Sequence, residues 1–254
     1  TAGAIMLLSS CTKYNDPTPK FEDYDQELAQ EVKRRVLFIS IDGAVGQEVK
    51  KVMPTNISEL LKTSKYTFES IANDKTSDAA TWMSMMSGVS YDMHHIADDS
   101  YLPPVDVNHT HTNAKGYPSI AYRINTLAPA NKTYVVTRDN SINTKLLVSA
   151  DETFGVTTDE EVKNQTVSLL DKKNPSLAIV QFKSVNEAGV KDGFSASVPS
   201  YADALKKVDG YIGEIVTALK ARKNYKYEDW LIIVTSNHGG IGKTYGGSSY
   251  EERN

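Results

Sequence analysis

A single cysteine, Cys11, occurs among 254 residues. That excludes an internal disulfide framework and any thiolate metal cluster. Basic residues are not in excess: 28 Lys and Arg stand against 32 Asp and Glu, a net charge of −4. With no surplus to neutralise a phosphate backbone, the composition argues against nucleic acid as a polymeric partner. The apolar run Ala2–Leu8 (AGAIMLL) falls far short of the roughly 18–20 residues that span a bilayer. No internal repeat and no low-complexity tract is found. What is present is a chain 40% hydrophobic and 24% charged. That supplies a packed core for one large domain or two small ones, and it is too apolar for disorder.

The amino terminus reads as an address. The run Ala2–Leu8 suits the tail of a signal-peptide core, and Leu8-Ser9-Ser10-Cys11 follows it directly. This resembles the bacterial lipobox, in which the cysteine is acylated and becomes the mature terminus. Acyl chains contribute about 0.8 kcal/mol per buried CH₂, so a multiply acylated Cys11 would hold a domain on a membrane. The expected organisation is a partial signal peptide over 1–10, a lipidated polar tether over 11–33 and an α/β domain over 34–254. The chain starts without methionine and stops after a glycine-rich segment, so a piece cut at both ends is expected. The expected location is the cell envelope of a Gram-negative bacterium, lipid-anchored, periplasmic or surface-exposed.

Beyond the tether, apolar runs alternate with amphipathic stretches. Arg35–Ile41 (RVLFISI), Thr133–Thr137, Leu177–Phe182 and Trp230–Thr235 (WLIIVT) read as buried strands, with Tyr66–Ile71 a further possible strand. Pro54–Leu61, Asp78–Met86, Ser119–Leu127 and Asp159–Leu170 read as helices. The clearest helix is Tyr201–Leu219, where Tyr201, Leu205, Val208, Ile212, Ile215 and Leu219 form one apolar stripe. His94–Tyr117 has no clear period and reads as a loop or cap. Strands alternating with helices indicate an α/β fold with a mostly parallel central sheet and helices on both faces.

Open parallel sheets place ligands at the carboxyl ends of their strands. Three such ends carry polar residues here: Asp42-Gly43, Lys183–Gly193 and Asn237-His238-Gly239. An Asp and a His converging from distant strands suit a divalent metal, while each alone is an ordinary turn.

The order and spacing of these segments resemble the alkaline phosphatase superfamily, and within it the type I phosphodiesterase and nucleotide pyrophosphatase branch, from Val36 to Gly240. ISIDG around Asp42 is similar to the first metal-aspartate motif. Thr81–Ile96 (TWMSMMSGVSYDMHHI) is similar to the nucleophile helix and its His-containing end. Val208-Asp209 and Gly213 lie in what resembles the long helix after the second metal segment. TSNHGG, Thr235–Gly240, resembles the closing Asp-His-Gly motif.

The resemblance implies site residues, and the departures from it are informative. Counted back from Gly88, the nucleophile position falls on Asp78, with Thr76 and Ser77 as hydroxyl alternatives if the loop is shifted. The Asp-x-x-x-His metal segment becomes Asn186 and Val190, and valine ligates nothing. The aspartate of Asp-His-Gly is Asn237, while His238 remains. One metal position is therefore expected to be lost. The residues Asp42, Asp78, Asn237 and His238 either hold a single divalent cation, Ca, Mg or Zn, or only hydrogen-bond strand-end loops.

Two functions follow. One is a hydrolase of small phosphate esters with altered metal use. The other is a non-catalytic surface protein that binds a glycan or a partner. A sulfatase relative would need a Cys/Ser-x-Pro-x-Arg motif, which is absent. Other features read as bland. Gly239–Gly247 lacks phosphate-loop spacing. His109 and His111 form a pair without a third ligand, and His94 braces its loop. Asp98-Asp99, Asp159-Glu160-Glu161 and Glu251-Glu252 read as solvated charge. The lipobox reading is checked by fractionation: Cys11→Ala is expected to move the chain from membrane to soluble fractions, and retention on membranes would overturn it.

Overall fold

The computed structural model describes residues 32–102 and 116–254. Strand β1 (Lys33–Ile41) shows how the sheet is built, because its side chains divide by parity. Leu37, Ile39 and Ile41 enter one apolar cluster, whereas Val36 and Phe38 pack against a second on the opposite face. Strands β2 (Thr133–Thr137) and β4 (Leu177–Phe182) are buried throughout and divide the same way. Val136 and Val180 join the first cluster, and Val135 and Ile179 join the second. A strand covered on both faces reads as a continuous apolar run, which is why these elements stood out in the sequence.

With β3 (Glu152–Gly155) and β5 (Glu228–Thr235), these strands form a five-stranded sheet in the order β3-β2-β4-β1-β5. Every pairing is parallel. The helices, in chain order, are α1 (Gly46–Val52), α2 (Thr55–Leu61), α3 (Asp78–Ser87), α4 (Tyr91–His94), α5 (Ile120–Leu127), α6 (Asp159–Lys172), α7 (Ser184–Asp192), α8 (Pro199–Lys220) and α9 (Tyr250–Arg253). Residues of α1, α2, α6, α7 and α8 pack into the first cluster, and those of α3 and α5 into the second. The fold is therefore α/β with helices on both faces of a parallel sheet. No described helix is long and apolar enough to cross a membrane.

The connections leave β1 and β4 in opposite directions. The chain leaving β1 runs to β2, on the far side of β4, and the chain leaving β4 runs to β5, on the far side of β1. The carboxyl ends of these neighbours thus flank a topological switch point, the crevice where open sheets bind ligands. Asp42 follows β1 and Lys183 follows β4.

Two expectations need correction. Tyr66–Ile71 is not a strand. Its backbone is held by side chains instead: the Phe68 carbonyl accepts from Asn254 Nδ2 at 2.8 Å and from Gln47 Nε2 at 3.3 Å. Trp230–Thr235, read as a buried strand, is only partly buried, with Leu231 57% exposed, because β5 lies at the edge of the sheet.

Helix α8 organises the first face. Its buried stripe runs from Tyr201 to Leu219 and also contains Asp209. Helix α2 has no side-chain cap of its own. Asp209 supplies one from α8: its Oδ1 accepts the Ile57 N–H at 2.7 Å, and Oδ2 accepts both Asn56 N and Asn56 Nδ2 at 2.9 Å. The helices approach closely enough that a Cβ on Gly213 would lie 2.3 Å from Asn56 Oδ1. Asp209→Ala is expected to cost about 2–3 kcal/mol, because it strands buried donors that met a charged acceptor. Urea denaturation measures this, and a loss below about 0.5 kcal/mol, the size of an ordinary surface change, would contradict it.

Candidate functional site

Asp42 lies two residues beyond Ser40, on the parity that faces α3. It is fully buried. Ser40 Oγ donates to its Oδ1 at 2.6 Å, while Gln181 Nε2 and Trp82 Nε1 donate to Oδ2 at 2.6 and 3.1 Å. Gln181 pairs with Ser40 across the β1–β4 ladder, which fixes its place under Asp42. Its amide oxygen accepts the N–H groups of Arg138 and Asp139 at 3.1 and 3.0 Å. Burial, then the charge of Asp78, pushes the Asp42 carboxyl up to about 6 against the pull of its donors. Gly43 turns the chain at φ +77, and a Cβ there would lie 2.6 Å from Asn186 Cα. Tyr201 holds the turn: its hydroxyl donates to the Gly43 carbonyl at 2.8 Å and accepts from Val45 N at 3.0 Å.

Asp78 is the first residue of α3, where the helix dipole favours an anion. Its carboxylate gathers the other parts of the site. Oδ1 lies 3.0 Å from Asn237 Nδ2 and 2.9 Å from His238 Nε2. Oδ2 accepts from Tyr245 Oη at 3.2 Å and lies 3.6 Å from Lys183 Nζ. Burial alone would raise its pKa, but His238, Lys183 and Asn237 outweigh burial and hold it down to about 2. His238 also sets Nδ1 2.6 Å from the Gly239 carbonyl, so both ring nitrogens face oxygen acceptors. Tyr245 stacks on the imidazole, with ring centroids 4.1 Å apart and an interplanar angle of 5°.

Lys183 caps α7 directly after β4. Asp159 fixes this junction, accepting Lys183 N on Oδ1 and Ser184 N on Oδ2, both at 3.0 Å. The ammonium lies 3.5 Å from Asp139 Oδ2 as well as beside Asp78. Burial would lower its pKa, and the charges of Asp78, Asp139 and Asp42 override that and raise it.

The remaining sequence candidates fall as follows. Thr76 is fully buried; its Oγ1 donates to the Gly247 carbonyl at 2.8 Å and accepts Gly246 N at 3.0 Å, clasping the glycine-rich loop to α3. Ser77 occupies the N-cap position of α3 and donates to the Ala97 carbonyl at 3.2 Å. Asn186 is buried beside Gly43, and its Oδ1 has no hydrogen-bond partner. Val190 is 44% exposed. His94 braces its turn through Ser84 Oγ at 2.9 Å and Ile96 N at 3.0 Å. Cys11, His109 and His111 lie outside the described residues.

Two of the charge clusters each hold one buried member, while Glu160, Glu161 and Glu251 are exposed as expected. Asp159 is buried at the α7 junction. Glu252 is buried too, accepting Gly247 N and Ser249 N at 3.0 and 3.1 Å. Sequence reasoning missed Lys183, Tyr245, Trp82 and Gln181 as site residues. Gln181 alone carried a signal, as a polar side chain inside a fully buried strand.

The sequence matches the family described as Type I phosphodiesterase / nucleotide pyrophosphatase over residues 36–242. The chain belongs to this family. No curated protein matches it. Among solved structures it is similar to murine ectonucleotide pyrophosphatase / phosphodiesterase 5 in complex with AMP, at 15% identity and a TM-score of 0.62, covering 81% of this chain and 57% of that one. It is also similar to BT1596, a 2-O GAG sulfatase, at 10% identity and TM-score 0.64, covering 87% of this chain and 63% of that one. A third is the C-terminal periplasmic domain of phosphoethanolamine transferase EptC from Campylobacter jejuni, at 12% identity and TM-score 0.60, covering 87% of this chain and 76% of that one. These likenesses show the alkaline phosphatase-like fold. The chain spans less than two thirds of the length of the first two structures.

The superfamily's divalent cations can be tested against the donors present. Among the described residues, no group of three or more His, Cys, Asp or Glu side chains converges as a metal site. Asn237 Oδ1 accepts Gly43 N at 3.2 Å and His238 N at 2.8 Å. What it turns toward Asp78 is its NH₂ group, which repels a cation. Two N–H donors occupy Asp42 Oδ2, and the second metal segment offers a buried amide and an exposed valine. The residues do not fit the metal pair of the superfamily.

The Asp42 shift makes a testable statement about pH. Its folded pKa lies above the unfolded value, so its stabilising contribution is complete below about pH 4 and is lost as pH rises through about 6. Asp78 acts in the opposite sense, stabilising above about pH 4 and losing that contribution as pH falls toward 2. Between pH 4 and 7 the wild type is therefore expected to lose on the order of 2 kcal/mol relative to Asp42→Asn, measured by urea denaturation. Parallel pH profiles for the two proteins would refute this.

Proposed function

We propose that this chain is a non-catalytic member of its family, held in the cell envelope through Cys11, that binds a neutral, hydroxyl-rich ligand such as a glycan. The observation that carries the reading is the state of Asp78. At the position the family resemblance gives to a hydroxyl nucleophile stands a carboxylate that receives Asn237, His238 and Tyr245 and faces Lys183. Held near pKa 2, it is a weak base. As a nucleophile it would have to form an acyl phosphate. Thr76 is buried and bonded at both donor and acceptor, so it offers no replacement.

Charge around the site supports the choice of ligand. Asp78, Asp99 and Asp139 lie together, close enough that Asp78 and Asp139 raise the Asp99 pKa in addition to its burial. Tyr101 lies in the field of the same three carboxylates, which add to burial in raising its pKa. The anionic esters that the related structures suggest, AMP and sulfated glycosaminoglycan, would meet these carboxylates unfavourably. Carboxylates and tyrosines instead suit sugar hydroxyls and ring faces.

A second reading, hydrolysis of small phosphate esters with one divalent cation, is favoured by family membership and by the retention of Asp42 and His238. One assay separates the two. Aryl phosphate mono- and diesters and an aryl ester of AMP are offered with Mg²⁺, Mn²⁺, Zn²⁺ or Ca²⁺. Turnover no greater than that of Asp42→Ala is expected, and robust metal-dependent turnover would reverse the assignment.

A further inference from the structure

We infer that the Lys183 ammonium takes the place of a divalent cation at this site, and that removing it opens a cation-binding site between Asp78 and Asp139. This deepens the non-catalytic reading and rests on the same misfit between the site and the superfamily's metals. Lys183 Nζ sits 3.6 Å from Asp78 Oδ2 and 3.5 Å from Asp139 Oδ2. The ammonium is thus shared between two carboxylates, at the limit of hydrogen-bond distance from Asp139 and just beyond it from Asp78. Asp159 anchors the base of this side chain by accepting the Lys183 and Ser184 backbone N–H groups at the start of α7.

A buried amide packed against Gly43 also lacks a partner. Asn186 lies three residues along from Lys183 in α7, is 3% exposed, and its Oδ1 finds no partner. The crevice thus keeps carboxylate oxygens suited to a hard cation while supplying the positive charge from a lysine side chain of its own. An incoming divalent ion would meet the ammonium at close range in a partly buried setting, where like charges repel strongly. Lys183→Ala removes that repulsion and leaves Asp78 and Asp139 without their shared cation, beside a vacated volume.

The probe is Mn²⁺ alone, followed by calorimetry and thermal unfolding of the full chain. Wild type is expected to show no saturable binding at Asp78 and no change of Tm with millimolar Mn²⁺ or with chelator. Lys183→Ala is expected to melt lower without metal, to bind Mn²⁺ saturably and to recover its Tm. Adding Asp78→Asn should abolish that response. Lys183→Arg, which keeps the charge, should behave as wild type. Lys183→Gln gives a second neutral variant should Lys183→Ala not fold.

Saturable Mn²⁺ binding by wild type that disappears in Asp78→Asn would overturn the inference. So would folded neutral variants indifferent to Mn²⁺, or neutral variants that fail to fold even with Mn²⁺ present. None of these outcomes depends on ester hydrolysis, so failure here is distinguishable from failure of the non-catalytic reading.

Discussion

The carboxylate of Asp78 is the point on which the switch-point crevice closes. Three other parts of the chain reach it at the start of α3: the end of β4 through Lys183, the end of β5 through Asn237 and His238, and the glycine-rich loop through Tyr245. A half-buried charge with that many partners is stabilised only while all of them hold. Removing one leaves the others facing an anion with less compensation, and breaking such an arrangement costs far more than its net contribution suggests. The loop is bound to α3 a second time, two residues earlier, by the Thr76 hydroxyl.

Fine side-chain chemistry decides what the crevice presents. The β1 turn and the end of β5 meet through Gly43 and Asn237, the start of α3 joins them through Asp78, and Gly43 permits the close contact with Asn186. Asn237 differs from an aspartate by one group. Because two backbone N–H groups claim its oxygen, that one group is the whole of what it presents to Asp78. An atom that could have ligated a cation has become a donor to an anion. On the proposed non-catalytic reading, this chain uses the fold to hold a fixed polar cluster rather than to carry a reaction.

Much of the frame was legible in the sequence because burial on both faces writes long apolar runs, and α8 writes an unbroken stripe. Asp42 and His238 were legible because each follows such a run. The short edge strand β3 was not, since four half-exposed residues carry too little pattern. Lys183 and Tyr245 were hidden for another reason: nothing local distinguishes a lysine at a strand end from any solvated lysine. Asp159 and Glu252 were misread because backbone N–H groups, which have no residue type to recognise, hold both of them, with the distant Arg138 joining at Asp159. Tyr66–Ile71 has strand-like residues but no neighbouring strand, and side chains took over its backbone bonding. The orientation of the Asn237 amide was beyond any sequence signal.

The cap that α8 provides for α2 has a consequence for the order of folding. Helix α2 has seven residues, too few to persist alone in water. Its leading N–H groups wait for Asp209, 153 residues beyond Asn56. The turn after β1 likewise waits for Tyr201, 158 residues beyond Gly43. At a synthesis rate of about 5–20 residues per second, these early segments emerge roughly 8–30 s before their partners. Until then the first face of the β1 strand lacks α8, the long helix that organises it. The amino-terminal quarter of the domain is thus made first and completed late, and its safe passage depends on whatever shields it in the interval.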